Sequence, residues 1–234
     1  MMMQPLKQSY TVKTFDVGPM QNLIYLITDL ETRQAAIIDP AWDISAVKDY
    51  IKINQLVLKK ILLTHSHHDH TNSIDELLAV FDIEIFLNHK EKIFWGKEYD
   101  NFVMNYGGDT IELGSTKIKS IHTPGHTPGS TCYYVGNKLI AGDTLFVFGC
   151  GRCDLEGGDP EAMFETLKNL KSSLDKNTII LPGHDYSIKR ESTIEEQITG
   201  NPFMHFRDLK KFVEYRMLTH DKIRVSPYDM ISKI

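Results

Sequence analysis

The chain has 234 residues, 41% hydrophobic and 24% charged, with a formal net charge of −5 and a pI near 6.0. That length allows one large domain or two small ones with a real core, and mild acidity with scattered lysines and arginines argues against a general nucleic-acid or membrane-surface binder. Three cysteines argue against a disulfide framework, no apolar run reaches the roughly 18–20 residues of a membrane span, and "MMMQPLKQSY" has no secretory signal pattern, so a cytoplasmic protein is expected.

"YTVKTFDV" and "NLIYLIT" read as strands separated by the Gly18-Pro19 turn. "QAAIID" is a short buried strand ending at Asp39-Pro40. "DISAVKDYIKI" has helical spacing, with Ile44, Val47, Tyr50 and Ile51 on one face and Asp43 as its N-cap. "LKKILLT" is a strand, "SIDELLAV" a helix and "IEIFLN" a strand; residues 89–109 are expected to form a short helix and a loop. "TIEL", "TKIKSIHT", "STCYYV" and "KLIAGD" read as strands, with Gly114 and Gly136-Asn137 marking hairpin turns. Pro160 opens the helix "PEAMFETLKNLKSSL". "TIILPG" is a buried strand, Ser192-x-x-Glu195 a capping box opening "TIEEQI", and "FRDLKKFVEYRML" an amphipathic helix. Strand-rich halves with interspersed helices imply two sheets with helices outside them.

The chemistry lies at the strand ends. "THSHHDH" packs four of the ten histidines, with Asp69, into seven residues. Buried imidazoles need partners and repel one another when protonated, a conflict that a bound cation resolves. "KKILLT" runs into His65, His67, Asp69 and His70, "IKSIHTPG" into His126, "KLIAG" into Asp143 and "TIILPG" into His184. Five histidines and two aspartates exceed one tetrahedral ion but suit two ions sharing a carboxylate. His65 and His67 point the same way in extended backbone and reach one ion. Asp69 and His70 face a second ion, and His68, out of phase, points away.

"HSHHDH", "HTPGHTPG", "AGDTLF" and "PGHDYS", in this order, resemble the metallo-β-lactamase-fold hydrolases. "GCGR" (Gly149 to Arg152) narrows the resemblance to the hydroxyacylglutathione hydrolase (glyoxalase II) and persulfide dioxygenase branch. It implies an α/β fold: an αββα sandwich of two mixed β-sheets flanked by helices, with the metals at one edge. It runs from about Tyr10 to Asn201-Pro202 within a single domain over 1–234, leaving residues 203–234 as a C-terminal helical extension. The resemblance implies that His65, His67 and His126 hold a first metal, that Asp69, His70 and His184 hold a second, and that Asp143 bridges them. His122 is then structural, and His89, His205 and His220 have no motif context.

Two such divalent ions, expected as zinc in this resemblance with iron or manganese as alternatives, lower the pKa of a shared water to about 7. Asp69 orients the resulting hydroxide, which attacks a carbonyl whose oxyanion a metal stabilises. No serine or cysteine nucleophile is needed, and a thioester suits the machinery because a thiol, of pKa about 8.5, leaves readily. The substrate the resemblance implies is a small-molecule thioester, glutathione-derived in the resembled enzymes, contacted by Arg152 and Tyr186. The glyoxalase II pattern continues with an aromatic pair where this chain has Cys153 and Asp154, so a simpler thioester fits as well. "GCGR-x-D" also looks like the persulfide dioxygenases, which use one iron on two histidines and an aspartate. A β-lactamase and a non-catalytic metal-binding module rank lower. Cys150-x-x-Cys153 reads as part of the family's "GCGR" rather than as a redox pair, and Cys132 as a buried strand residue.

Overall fold

Strand β2 (Asn22–Asp29), buried along its whole length, explains the layering seen in the computed structural model, which describes residues 9–231. Residues 1–8, which hold most of the stretch read as lacking a secretory signal, and residues 232–234 lie outside that description. Successive β2 side chains point to opposite faces. Leu23, Tyr25 and Ile27 pack inward with Ile111, Ile118, Tyr133, Ile140 and Leu181 of the opposing sheet. Ile24 and Leu26 face outward, where they join Val47, Ile51, Ile74 and Leu77 of the covering helices. A strand buried on both faces reads as a continuous apolar run, and "NLIYLIT" is one.

The first sheet runs β1 (Tyr10–Val17), β2, β3 (Gln34–Ile38), β4 (Val57–Leu62), β5 (Glu84–Asn88), β6 (Phe102–Asn105). Its first three strands are antiparallel and the rest parallel. Helices α1 (Ser45–Ile53), α2 (His68–Thr71), α3 (Ile74–Leu78) and α4 (His89–Trp95) lie in its connections. The second sheet contains β7 (Thr110–Leu113), β8 (Thr116–His122), β9 (Thr131–Val135), β10 (Lys138–Gly142), β13 (Ile179–Pro182) and β14 (Ser192–Thr193), in the order β14-β13-β10-β9-β8-β7. Between β10 and β13 come the small hairpin β11 (Leu145–Phe146) and β12 (Gly149–Cys150), then α5 (Pro160–Ser173). Met163, Phe164, Leu167 and Leu170 of α5 cover the outer face of the second sheet with Ile194 and Phe212, from α6 (Ile194–Gly200) and α7 (Leu209–Glu214). These are two mixed sheets flanked by helices, the expected sandwich. No helix among the described residues is long and apolar enough to cross a membrane.

Several local expectations change. Residues 89–109 contain strand β6 as well as a helix, because Phe102 to Asn105 complete the parallel edge beside β5. The β11–β12 hairpin was not anticipated; two-residue strands carry no periodicity. Helix α1 begins after Ile44, and Asp43 accepts from the Ser45 N–H at 2.9 Å. The capping box shifts by one residue: Thr193 caps the Glu196 N–H, and Ser192 donates to the Glu196 side chain at 2.8 Å. The segment expected as one last helix runs as α7, a π-turn over Tyr215–Thr219, and α8 (His220–Ile223). Residues 224–231 are not helical; Tyr228 instead exchanges backbone hydrogen bonds with Tyr186 and Ile188 at 2.7 and 3.0 Å.

Two buried tyrosines lock the sheets together beside the chemically loaded loops. The Tyr25 hydroxyl donates to the Pro182 carbonyl at 2.7 Å, and the Tyr133 hydroxyl to the Leu63 carbonyl at 2.9 Å. Each ties one sheet to a strand end of the other, two residues before a cluster histidine.

Candidate metal centre

Each chemically loaded segment leaves the carboxyl end of a strand at one edge of the sandwich: β3 into Asp39, β4 into His65, β8 toward His126, β10 into Asp143 and β13 into His184. Ligand sites in open α/β sheets collect at such ends. Glycine permits the close approach at two of them. Gly142, at φ +50°, sits against the Thr64 side chain, and a Cβ on Gly183 would collide with the Asp143 carboxylate.

The structure brings all seven expected residues together. His126 Nε2 lies 2.9 Å from His67 Nδ1, and His70 Nε2 lies 3.2 Å from His184 Nε2. Asp69 Oδ2 is 3.5 Å from His70 Nε2 and 3.4 Å from His184 Nε2. Asp143 sits centrally, 3.3 Å from His70, 3.4 Å from His184 and 3.7 Å from His126. His65, His67 and His126 form one group of convergent donor atoms, and Asp69, His70 and His184 another. His68 is exposed, its ring 6.3 Å from that of Trp42. His122 is also outside the cluster, its Nε2 2.9 Å from the Pro128 carbonyl.

Hydrogen bonding behind the rings decides which nitrogens face inward. His126 Nδ1 meets the Arg152 carbonyl at 2.8 Å and His184 Nδ1 the Met20 carbonyl at 2.8 Å. A carbonyl only accepts, so each Nδ1 carries the proton. His70 Nδ1 meets Asp39 Oδ2 at 3.0 Å. Thr64 spends its hydroxyl proton on Asp39 at 2.6 Å and so accepts from His65 Nδ1 at 3.0 Å. Four Nε2 atoms therefore turn toward a common centre. The buried His65 Nε2 has no partner, and Asp143 Oδ1, though 3.3 Å from His70, makes no hydrogen bond in that geometry. Lone pairs facing lone pairs repel, whereas a cation between them satisfies all at once. Ligands about 2.0–2.1 Å from a tetrahedral ion lie about 3.3 Å apart, close to the 3.2–3.5 Å spacings among Asp69, His70 and His184. The residues fit a pair of divalent ions.

Electrostatics agree. Burial, then the neighbouring His70 and His126, holds His65 well below the usual histidine range, and burial lowers His67 and takes His126 to about 4. These rings present neutral nitrogens, as metal ligands must. Burial also opposes charge on His70, but Asp143, Asp39 and Asp69 outweigh it and lift His70 to about 9. Burial works against the Asp143 carboxylate too, yet His184 and His70 hold its carboxyl well below the usual range. Without an ion, His70 therefore holds a second proton, on Nε2, among these carboxylates, and a bound divalent ion would take the place of that proton.

Three supporting residues escaped the sequence reading. Asp39 accepts from the Thr64 N–H and hydroxyl and from His70, at 2.7, 2.6 and 3.0 Å, so it orients the cluster with a saturated carboxylate. It follows an apolar strand like the others, a signal that was available. Asn22 donates to the Asp69 carboxylate at 3.0 Å and accepts from Trp42 Nε1 at 2.8 Å. Glu91, fully buried, accepts from the Ser66 N–H and hydroxyl at 2.8 and 2.6 Å and from the Thr127 hydroxyl and Gly129 N–H at 2.7 and 2.9 Å. It joins the loop of His65 and His67 to that of His126.

A cavity of about 440 Å³ opens over the cluster, and both Arg152 and Tyr186 line it. Tyr186 stacks on His184, with centroids 4.6 Å apart and planes 9° from parallel. Arg152 is forked onto Asp154 at 3.0 and 2.6 Å. Cys150 also lines the cavity, but burial pushes its thiol well up, and that of Cys153 to about 12. Neither supplies a thiolate near neutrality.

The sequence profile of the metallo-beta-lactamase superfamily matches residues 17–184. The chain is 30% identical over 216 residues to a protein named "Probable polyketide biosynthesis zinc-dependent hydrolase PksB" in Bacillus subtilis, covering 89% of this chain and 96% of that one. It is 38% identical over 173 residues to the hydroxyacylglutathione hydrolase of Shewanella loihica, covering 71% of this chain and 62% of that enzyme. The crystal structure of ETHE1 from Myxococcus xanthus superposes with a TM-score of 0.79 at 26% identity, over 89% of this chain and 90% of that one.

Proposed function

The chain belongs to the metallo-beta-lactamase superfamily, and from that premise we propose that it is a metal-dependent thioesterase of the hydroxyacylglutathione hydrolase type. The observation that carries the proposal is the convergence of five histidines and two aspartates, with unpartnered inward-facing atoms, on the floor of an open cavity. His65, His67 and His126 would hold one ion, Asp69, His70 and His184 the other, with Asp143 between them. When bound, two divalent ions, zinc foremost, supply hydroxide at neutral pH and polarise a carbonyl.

The chain's own residues do the rest. Asp69, held by Asn22 at 3.0 Å, is placed to orient the attacking water, and Asp39 and Glu91 keep the cluster from rearranging. Water adds to the acyl carbon, the C–S bond breaks with its electron pair leaving on sulfur, and a carboxylic acid and a thiol result. Tyr186 and Arg152, lining the cavity, bound the space for the acyl and thiol portions.

A second reading, a mononuclear-iron persulfide dioxygenase, draws support from the "GCGR" segment and from the likeness to ETHE1 at a TM-score of 0.79. One experiment separates the two. Protein purified without added ions is analysed for metal, then assayed on a thioester panel that includes S-lactoylglutathione, and for oxygen uptake on glutathione persulfide. About two zinc ions per chain with thioester cleavage supports the thioesterase. A single iron with oxygen uptake and no thioester cleavage replaces it.

A further inference from the structure

One residue behind the cluster is strained. Trp42, between β3 and α1, has φ +58°, in the left-handed region that an aromatic residue enters only at a cost. Such strain persists where the surroundings over-determine it, and it collects at functional sites. Here the Trp42 backbone N–H donates to Asn72 Oδ1 at 2.6 Å, and its carbonyl accepts from the Ser73 hydroxyl at 2.5 Å. Asn72 and Ser73 directly follow α2, the short helix that carries Asp69 and His70. The chain also makes room for the ring: Gly18 lies against it, and a Cβ there would collide with the indole.

What this arrangement delivers to the cluster is one N–H group. Trp42 Nε1 donates to Asn22 Oδ1 at 2.8 Å. An indole nitrogen only donates, so the Asn22 oxygen faces Trp42 and the amide nitrogen is left for Asp69. That nitrogen donates to the Asp69 carbonyl at 2.9 Å and to Asp69 Oδ2 at 3.0 Å. Asn22 is buried, and a β-bridge to His184 fixes its backbone beside the second group. Among the described residues, the contacts of the Asp69 carboxylate fall on this same oxygen: Oδ2 is the atom 3.5 Å from His70 Nε2 and 3.4 Å from His184 Nε2. Oδ1 is left over, on a residue that lines the cavity.

We propose that Trp42 and Asn22 are a positioning pair that makes Asp69 a one-oxygen ligand: Oδ2 is held toward His70 and His184, and Oδ1 is kept for the attacking water. Without the indole N–H, the Asn22 oxygen is a buried acceptor that has lost its donor, the amide shifts, and Asp69 can exchange its two oxygens. The proposal rests on the thioesterase reading for what that water attacks; its effect on metal binding does not depend on that reading.

The test is a double-mutant cycle on the full-length, zinc-loaded protein: wild type, Trp42→Phe (which keeps a ring and removes the N–H), Asn22→Leu, and the two combined. Each is measured for steady-state kinetics on the thioester cleaved best in the panel above, and for zinc affinity by competition with a chromogenic chelator. Trp42→Phe is expected to lower kcat about tenfold with KM changed by less than about twofold, and to weaken the less tightly held zinc by about tenfold. In the Asn22→Leu background the same substitution should change neither quantity by more than about twofold, because residues that act through one contact are not additive. Equal effects in both backgrounds would make Trp42 a support of the fold and overturn the proposal, as would wild-type values in Trp42→Phe. If no thioester is cleaved, the thioesterase reading fails alone and the zinc cycle still decides. Should Trp42→Phe not fold, isotope-labelled wild type is titrated with zinc and followed by NMR, with Trp95→Phe assigning the indole signals. Movement of the Trp42 indole N–H signal with the second zinc equivalent supports the link through Asn22 to Asp69, and a signal that stays in place overturns it.

Discussion

Glu91→Gln tests whether the cluster depends on the acid behind it. The substitution keeps shape and removes one acceptor. Glu91 now serves two buried backbone N–H groups, of Ser66 and Gly129, at opposite oxygens. An amide can present its oxygen to only one of them, whichever way it is flipped. The other N–H then faces an NH₂ group, and a buried donor without an acceptor costs about 1–3 kcal/mol. The amide hydrogens can still meet one hydroxyl, Ser66 or Thr127, so the net loss is expected to stay within about 1–3 kcal/mol. For a chain of this size that lowers Tm by on the order of 10 °C. The Ser66 and Thr127 loops carry His65, His67 and His126, so zinc affinity should fall about 10–100-fold, as when partners behind metal ligands are removed. Urea unfolding of chelator-treated protein measures the first effect and competition with a chromogenic chelator the second. Wild-type values in both would refute the argument that Glu91 positions the ligand loops; lost stability with unchanged zinc affinity would make it a fold residue only.

Asp143→Ala should reduce bound metal far more than His68→Ala, since Asp143 lies between the two groups and His68 is exposed; equal losses by elemental analysis would overturn the ligand assignment. Asp29 is buried and links the sheets by accepting from the Thr32 N–H and from the Thr32, Ser115 and Thr116 hydroxyls, each at 2.7 Å. Burial opposes its ionisation, but those hydrogen bonds win and hold its carboxyl well below the usual range. Its contribution is present above the unfolded pKa of about 3.9 and is lost as pH falls below that value. Asp29→Asn should therefore lower stability by about 1–3 kcal/mol at pH 7 and flatten the pH dependence of urea midpoints below about pH 4; parallel curves for both proteins would contradict this. Thioester cleavage should stop on chelation, return with zinc and resist serine-directed reagents, and activity that survives full metal removal would exclude the proposed chemistry.

Strand and helix periodicity is a local property, so β2, α1 and α5 were legible from their residues alone. The division into two sheets with helices outside followed from the alternation of strands and helices, and the resemblance carried by the motifs added the metals at one edge, whereas the order of strands within each sheet is seen only in the structure. The seven cluster residues were legible for a related reason: each follows an apolar run that must be buried, so each is delivered to a strand end. Asp39 obeys the same rule and was passed over. Glu91 and Asn22 could not be found this way. Their roles exist only because the fold sets Glu91 between loops 25 and 36 residues away in sequence and Asn22 against Asp69 across 47. A strand as short as β11 or β12 has too few residues for alternation to show, and the shift of the α6 cap from Ser192 to Thr193 turned on a single residue of backbone geometry. Trp42 read as an ordinary packing residue because residue type and spacing say nothing about what a side chain faces. Only the fold set its indole N–H against Asn22, since the partner of a donor depends on neighbours that the chain brings together from afar.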